Sequence, residues 1–326
     1  METPSETSDR QVQSIGFILL PGFALMSFAA ATEPLRAANW LAGRRLYEVQ
    51  FFAPVERVES SSGLLVPVQP LPRKARGLSA VFVCAGGSPA DWSRPDVHAS
   101  LRRLAGDGVR IGGISGGPYV LAEAGLLAGR RFTIHWEHAP ALAEAFPNLR
   151  PEQARYVIDG SLVTCGGGIA PLDLMHALIT ERMGSAFARR VSDWFLHTQV
   201  EPSGGAQRAS LAERFGVHHP VLLAVLEKMG ATLETPLSRS SMARFAGISP
   251  RHLDRLFADY RKTTFLGDYR RLRLEHADRL LRQSALSVSE IAFASGFSSL
   301  SEFGRAYRRA YGSPPGATRR ALRSSA

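Results

Sequence analysis

SVSEIAFASGFSSLSEFGRAYRRAYG, residues 287–312, decides how this chain is read. Ile291, Ala292 and Ser295 share one face of a short helix, Gly296 follows where the chain must turn, and Phe303 and Tyr307 stand four apart on a second helix. Leu300, Ser301 and Arg305 are left pointing outward. A helix, a glycine-centred break and an Arg-studded second helix make a helix-turn-helix, whose second helix enters the major groove of DNA. The pattern occurs twice. PLSRSSMARFAGISPRHLDRLFADY, residues 236–260, has Gly247 at the break and Leu253 and Phe257 on the buried side, and its turn glycine stands 49 residues before the other. Between the two, FLGDYRRLRLEHADRLLRQS (265–284) places Leu266, Tyr269, Leu272, Ala277, Leu280 and Leu281 on one apolar stripe. This predicts a stiff helix that holds both recognition helices at the separation of successive major grooves.

The net charge of +10 is unevenly placed. From Gly205 onward there are 20 Lys and Arg against 10 Asp and Glu, and before it there are 19 of each. The whole excess therefore accompanies the two turn motifs, where phosphate binding with counterion release needs it. A merely solvated basic surface would leave the paired turn motifs without a purpose. Two cysteines, Cys84 and Cys165, fit a reducing compartment, although one disulfide between them stays open. No metal site and no cofactor is expected. Residues 15–31 carry no charge, but Pro21-Gly22 interrupts the apolar run and the leader is acidic, unlike a signal peptide. The expected location is cytoplasmic, with no membrane segment.

Upstream the reading is α/β. Residues 1–12 are polar and expected to be a disordered leader, QSIGFILL (13–20) reads as a buried strand, and a helix follows over 24–41. Further strands are predicted at 47–54, 79–87, 109–115 and 156–168, the last with the hairpin signal Asp159-Gly160. Helices are predicted near 96–105, 117–127, 137–145 and 171–197. This alternation predicts a mostly parallel sheet covered on both faces. Glycine-rich turns at 86–87, 116–117 and 166–168 place a ligand site at the carboxyl edge of that sheet. EPSGGAQ (201–207) opens an expected interdomain linker, 201–219, and the all-helical DNA-binding domain occupies 220–322.

Two resemblances rest on these residues. Residues 220–322, through SVSEIAFASGFSSLSEFGRAYRRAYGSPP, resemble the double helix-turn-helix domain of AraC/XylS-type bacterial transcription activators. Residues 13–200, through IGGISGGPYVLAEAGLLAGRRFTIHW (111–136), resemble the PfpI/ThiJ amidotransferase-like domain that the GlxA branch of that family carries in front as a sensor. The resemblance implies a flavodoxin-like (class I glutamine amidotransferase-like) first domain. It also implies a homodimeric activator that binds double-stranded promoter DNA, answers a small-molecule effector and contacts RNA polymerase. Branch members similar over RASLAERFGVHHPVLLAVLEKM (208–229) regulate arginine, carnitine and glycine betaine catabolism, so the implied effector is an amino acid or a quaternary-ammonium compound. The family's base-reading positions fall on Arg251, His252 and Arg255 and on Leu300, Ser301 and Arg305. An arginine fork suits guanine O6 and N7, and Leu300 a thymine methyl. Ser298, Ser299, Arg308 and Arg309 suit phosphates. For each of these the plain alternative is a solvated helix face. The tail SPPGATRR departs from the family's Ser-Pro-x-x-Tyr-Arg, with Thr318 before Arg319, so the family's final cap does not carry over.

Gly113-Ile-Ser115-Gly-Gly117 is a G-x-S-x-G between a strand and a helix, where a hydrolase keeps its serine. Chain order permits Ser115, then Asp159 or Asp173, then His176 or His197, so a serine hydrolase or amidotransferase fused to a DNA-binding domain is the alternative reading. The resemblance argues against it. Enzymatic relatives have cysteine and then histidine where this chain has Ser115 and Gly116, and their supporting glutamate aligns with Ser27, with Glu33 close by. A serine without its base is a poor nucleophile, so no catalytic residue is expected. As a sensor the elbow is expected to hold a ligand carboxylate on Ser115, Gly116 and Gly117, stiffened by Pro118. His135, Trp136 and Glu137 would supply an aromatic face and a counter-charge for a cationic group. Their plain readings are a buried imidazole, a core tryptophan and a first-turn helix acid. A third reading is a constitutive DNA-binding protein whose first domain only dimerises.

Overall fold

The computed structural model describes residues 11–75, 77–284 and 286–324, which form two compact units dividing between Gln207 and Arg208. The expected disordered leader lies outside the described residues as far as residue 10. The first unit runs β1 (Gln13–Leu19), α1 (Leu25–Ala42), β2 (Tyr47–Phe52), β3 (Arg57–Glu59), β4 (Leu65–Pro67), β5 (Leu78–Ala85), α2 (Pro95–Gly106), β6 (Arg110–Ser115) and α3 (Gly117–Glu123). It continues through α4 (Ala139–Ala145), β7 (Tyr156–Asp159), β8 (Leu162–Cys165), α5 (Ala170–Met183) and α6 (Ser185–Trp194).

Six strands form one sheet in the order β2-β1-β5-β6-β8-β7, parallel except for β7, which pairs antiparallel with β8. The strands β1, β5 and β8 are apolar runs buried almost end to end, as strands between two helical layers must be. Phe17, Phe82, Ile114, Leu174 and Val191 pack on one face, and Val83, Trp92, Leu101, Val120 and Leu142 on the other. The doubly covered α/β fold is the one expected. The helix expected over 171–197 is two, α5 and α6, broken at Gly184. The β3–β4 hairpin has no counterpart in the sequence reading, because strands of three largely exposed residues show no alternation.

Cys84, Ile114 and Cys165 stand level on β5, β6 and β8, so the Cα atoms of the two cysteines are two strand spacings apart, about 10 Å. That is too far for a disulfide, and both cysteines are free.

The stretch 201–219 is structured where a linker was expected. The Gly205 and Ser203 carbonyls accept from the Arg155 and Tyr156 N–H groups at the outer edge of the sheet, and residues 201–207 belong to the first unit. Glycine-rich composition suits an edge-pairing segment as well as a tether and does not separate the two. The second unit begins at Arg208, and α7 (Leu211–Phe215) opens on a capping box made by Ser210 and Glu213.

The second unit continues with α8 (Pro220–Ala231), α9 (Arg239–Phe245), α10 (Pro250–Leu256), α11 (Phe265–Gln283), α12 (Val288–Ala294), α13 (Leu300–Tyr311) and α14 (Pro315–Ser324). Hydroxyls of Ser238, Ser249, Thr264, Ser287 and Ser299 cap the starts of α9 to α13, each accepting a backbone N–H of the first turn. Two cores form. Val225, Met229, Met242, Leu253, Phe257 and Phe265 make the first, and Ala277, Leu280, Ile291, Phe297, Phe303 and Tyr307 the second. The helix α11 contributes to both, and the stripe read on it needs one correction. Leu266 is 62% exposed, whereas Leu274 and the charged Asp268 are buried. Asp268 tolerates burial because Arg261 and Arg271 pair with it at 2.9 and 2.7 Å.

Candidate DNA interface and effector site

Helices α10 and α13 each bury one side and expose the other. Leu253 and Leu256 point inward on α10, with Arg251 and Arg255 exposed and His252 half-buried. Phe303 and Tyr307 point inward on α13, leaving Leu300, Ser301, Arg305, Arg308 and Arg309 exposed. The outward faces read from helical spacing are therefore the outward faces of the folded unit. Ser298 and Ser299, expected on phosphates, are exposed and also have internal partners. The Ser299 hydroxyl accepts from the Glu302 N–H at 3.2 Å, and the Ser298 hydroxyl donates to the Glu302 carboxylate at 2.8 Å. That hydrogen bond holds the Glu302 carboxyl below its ordinary range.

At the elbow, Ser115 ends β6 in a left-handed conformation, φ 60°, that serine seldom adopts, and it is almost fully buried. Its carbonyl accepts from the His135 N–H at 3.2 Å. Ser27, on the buried side of α1, lies alongside: a methyl on Gly167 would come 2.7 Å from Ser115 Cβ and 3.0 Å from Ser27 Oγ. The Ser27 hydroxyl accepts from the Gly168 N–H at 2.8 Å. Ser27, which the resemblance aligns with the enzymes' glutamate, thus lies beside Ser115, while Glu33 is paired with Arg36.

A side chain at 116 has no room, since a Cβ there would run into the Trp92 ring. Trp92 is fully buried, donates from Nε1 to the Gly86 carbonyl at 2.8 Å, and meets the rings of Tyr119 and His138 edge-on. The Gly116 N–H donates to the Ala85 carbonyl at 3.0 Å, extending the β5–β6 ladder one residue, so it is not available to a ligand carboxylate. This corrects the expected role of Gly116.

The acids and bases allowed by chain order have other partners. Asp159 pairs with Arg130 at 2.6 Å in the hairpin turn. That turn is level with the start of β6, about 13 Å along the sheet from Ser115. Asp173 is fully buried and holds Arg155 at 2.6 Å and His197 at 2.7 Å, and His176 meets Ser192 at 2.8 Å. Among the described residues no hydrogen bond joins Ser115 to any of these four.

His135, Trp136 and Glu137 are half-buried in the loop beside the elbow, with the His135 ring 5.5 Å from those of both Trp136 and His138. One residue that the sequence did not mark organises this loop. Gln207 accepts the Trp136 N–H on Oε1 at 2.8 Å, and its Nε2 reaches Thr133 Oγ1 and the Ile134 and Ala154 carbonyls at 2.7–2.9 Å. A glutamine ending a glycine-rich stretch has no spacing or composition that would single it out.

The sequence pattern of the DJ-1/PfpI family matches residues 13–181, and that of a helix-turn-helix domain matches residues 242–321. The HTH-type transcriptional regulator GlxA of Rhizobium meliloti is 58% identical over 318 residues, covering 97% of this chain and 98% of its own length. The chain belongs to the AraC-type transcriptional regulators that carry a DJ-1/PfpI domain. CdhR of Pseudomonas aeruginosa, another HTH-type transcriptional regulator, is 38% identical over 310 residues, 95% of this AraC-type chain and 92% of its own. Among solved structures, an AraC family transcriptional regulator from Pseudomonas putida matches with a TM-score of 0.53 and 26% identity, over 56% of this chain and 99% of that one. A ThiJ/PfpI family protein from Pseudomonas syringae, 19% identical with a TM-score of 0.51 over 71% of this chain and 93% of its own, shares the fold. The AraC-type chain is a DNA-binding transcriptional regulator, and no described helix is long and apolar enough to cross a membrane.

Proposed function

We propose that this regulator is a cytoplasmic, homodimeric activator that reads promoter DNA with α10 and α13 and answers a small metabolite held beside Ser115. The observation that carries the reading is the pairing of two recognition helices, each seated on its own core. Both present arginines, Arg251, Arg255 and Arg305, that make no internal ion pair among the described residues. Arg251, His252 and Arg255 read one half-site and Leu300, Ser301 and Arg305 the other. Arg308 and Arg309 lie on phosphates, while Ser298 and Ser299 act by shaping the start of α13. Activation proceeds through contact with RNA polymerase.

The effector site draws on Ser115 and the loop of His135, Trp136 and Glu137, with Gly117 beside them. A backbone strain kept at Ser115 without a catalytic base supports binding rather than turnover there. Gln207, which holds the same loop, directly precedes Arg208, where the chain passes into the second unit. An amino acid or a quaternary-ammonium compound suits an aromatic face with an acid beside it.

Thermal denaturation of the full chain with arginine, carnitine, glycine betaine and related metabolites tests this. A ligand at a hundred times its Kd adds about 2.7 kcal/mol and raises the melting temperature of a domain this size by about 5 °C or more. Ser115→Ala shrinks that shift and leaves DNA binding without effector near wild type. Esterase or amidase turnover in the wild type that disappears in Ser115→Ala would overturn the reading in favour of a hydrolase.

A further inference from the structure

The two helix-turn-helix cores are separate clusters, yet two of their loops meet. A Cβ built on Gly296, the turn glycine of the second motif, would overlap the Leu233 carbonyl oxygen and stand 2.9 Å from the Glu234 carbonyl and 2.8 Å from Pro236 Cγ. Real Cβ atoms essentially never approach within 3.0 Å, so the second turn rests on the segment before α9 at a distance that only glycine allows. Gly247, the corresponding glycine of the first motif, has the same left-handed backbone, φ 67° against 74°, but among the described residues nothing lies within 4 Å of where its Cβ would be.

Both sides of this contact are held by one face of α11. The Tyr269 hydroxyl donates to the Thr232 carbonyl at 2.8 Å, lies 2.6 Å from Thr232 Oγ1 and accepts from the Leu237 N–H at 3.3 Å. One turn further along, Arg273 donates from Nε to the Ser295 carbonyl at 2.8 Å and from Nη2 to the Gly296 carbonyl at 2.6 Å. Its guanidinium lies 4.1 Å over the Phe297 ring. Tyr269 thus holds the loop of the first motif and Arg273 the turn of the second, and Gly296 lets the two touch.

A connecting helix sets the distance between two readers but resists bending only softly. Across one helical turn of DNA, about 34 Å, a hinge of about 10° displaces a recognition helix by about 6 Å, far beyond the tolerance of a base contact. We propose that Tyr269, Arg273 and Gly296 form a clamp that fixes the relative orientation of α10 and α13. They are positioning residues that select the half-site spacing of the operator without touching DNA. The inference rests on α10 and α13 being the DNA-facing helices.

The test uses the full chain and an operator that the wild type selects from random double-stranded DNA, with duplexes carrying one or two base pairs added to or removed from the spacer. The wild type loses about tenfold or more in affinity at each altered spacing. Gly296→Ala, Tyr269→Phe and Arg273→Lys each lose about tenfold at the native spacing and less than about twofold at the others, flattening the profile. Gly247→Ala, with the same backbone strain but no close neighbour, keeps the wild-type profile. The clamp is overturned if its variants lose affinity by one common factor at all spacings, or if Gly247→Ala flattens the profile as much. Scrambling the half-site assigned to α10 separates the two levels. Unchanged wild-type affinity there would remove the DNA-facing assignment and the clamp with it, whereas a loss there with uniform spacing effects refutes the clamp alone.

Discussion

Replacing Arg305 with alanine is expected to remove one base contact and nothing else. Arg305 lies on α13 between the buried Phe303 and Tyr307, on the opposite side of the helix, and makes no hydrogen bond or ion pair among the described residues. Alanine is at least as good a helix former, so folding stability stays within about 0.5 kcal/mol of wild type and the effect appears in binding. A guanidinium gripping guanine O6 and N7 carries about 1–3 kcal/mol of discrimination, which is about a 5- to 150-fold rise in Kd. The assay is fluorescence anisotropy of the full chain on the selected operator and on duplexes with each half-site base pair replaced in turn, at several salt concentrations. The expected outcome is a loss confined to sequences carrying one particular base pair, with preference relaxed there alone. An equal loss on every duplex, with the slope of log K against log salt reduced by about 0.9, would make Arg305 a phosphate contact. A change under about twofold on all duplexes would refute the outward face of α13 as a reader.

The buried Asp173 is expected to be structural: Asp173→Ala strands Arg155 and His197 without their acid and costs the first unit about 3–5 kcal/mol in urea unfolding, and a loss under about 1 kcal/mol would show that the site is readily resolvated. Burial pushes the Cys165 thiol up to about 12 and, helped by Cys165, the Cys84 thiol higher still. Iodoacetamide at pH 8 therefore labels neither cysteine until the chain unfolds, and rapid labelling of the native protein would contradict that. Burial, helped by the nearby Arg279, lowers the His276 pKa from 6.5 to about 4, so the folded unit leaves unbound a proton that the unfolded chain takes up. The stability of the second unit is then complete above pH 6.5 and falls by up to about 3 kcal/mol as the pH drops towards 4. His276→Gln flattens that decline, and an unchanged decline in the variant would assign it to other groups.

Local pattern made much of this protein legible before folding. Helical spacing placed Phe303 and Tyr307 inside and Arg305 outside, a glycine marked each turn, and the charge excess assigned DNA binding to the second half, because these signals act within a few residues of one another. The strand–turn–helix around Ser115 was legible for the same reason, whereas its left-handed backbone came only with the structure. Which atoms cover each face is a different matter. Spacing put Leu266 on the buried stripe of α11, but the stripe passes between two cores, and Leu274 is buried where Leu266 is not. Trp92 closing over Gly116, Gln207 holding the loop of His135, Trp136 and Glu137, and Gly296 lying against the Leu233 carbonyl while Gly247 stands open are matters of residues distant in the chain. Sequence alone determined that there are two readers and an elbow. Tertiary packing decided that the elbow has no room for a side chain at Gly116 and that the second turn rests on the loop of the first motif, because periodicity says which way a side chain faces and not what it meets there.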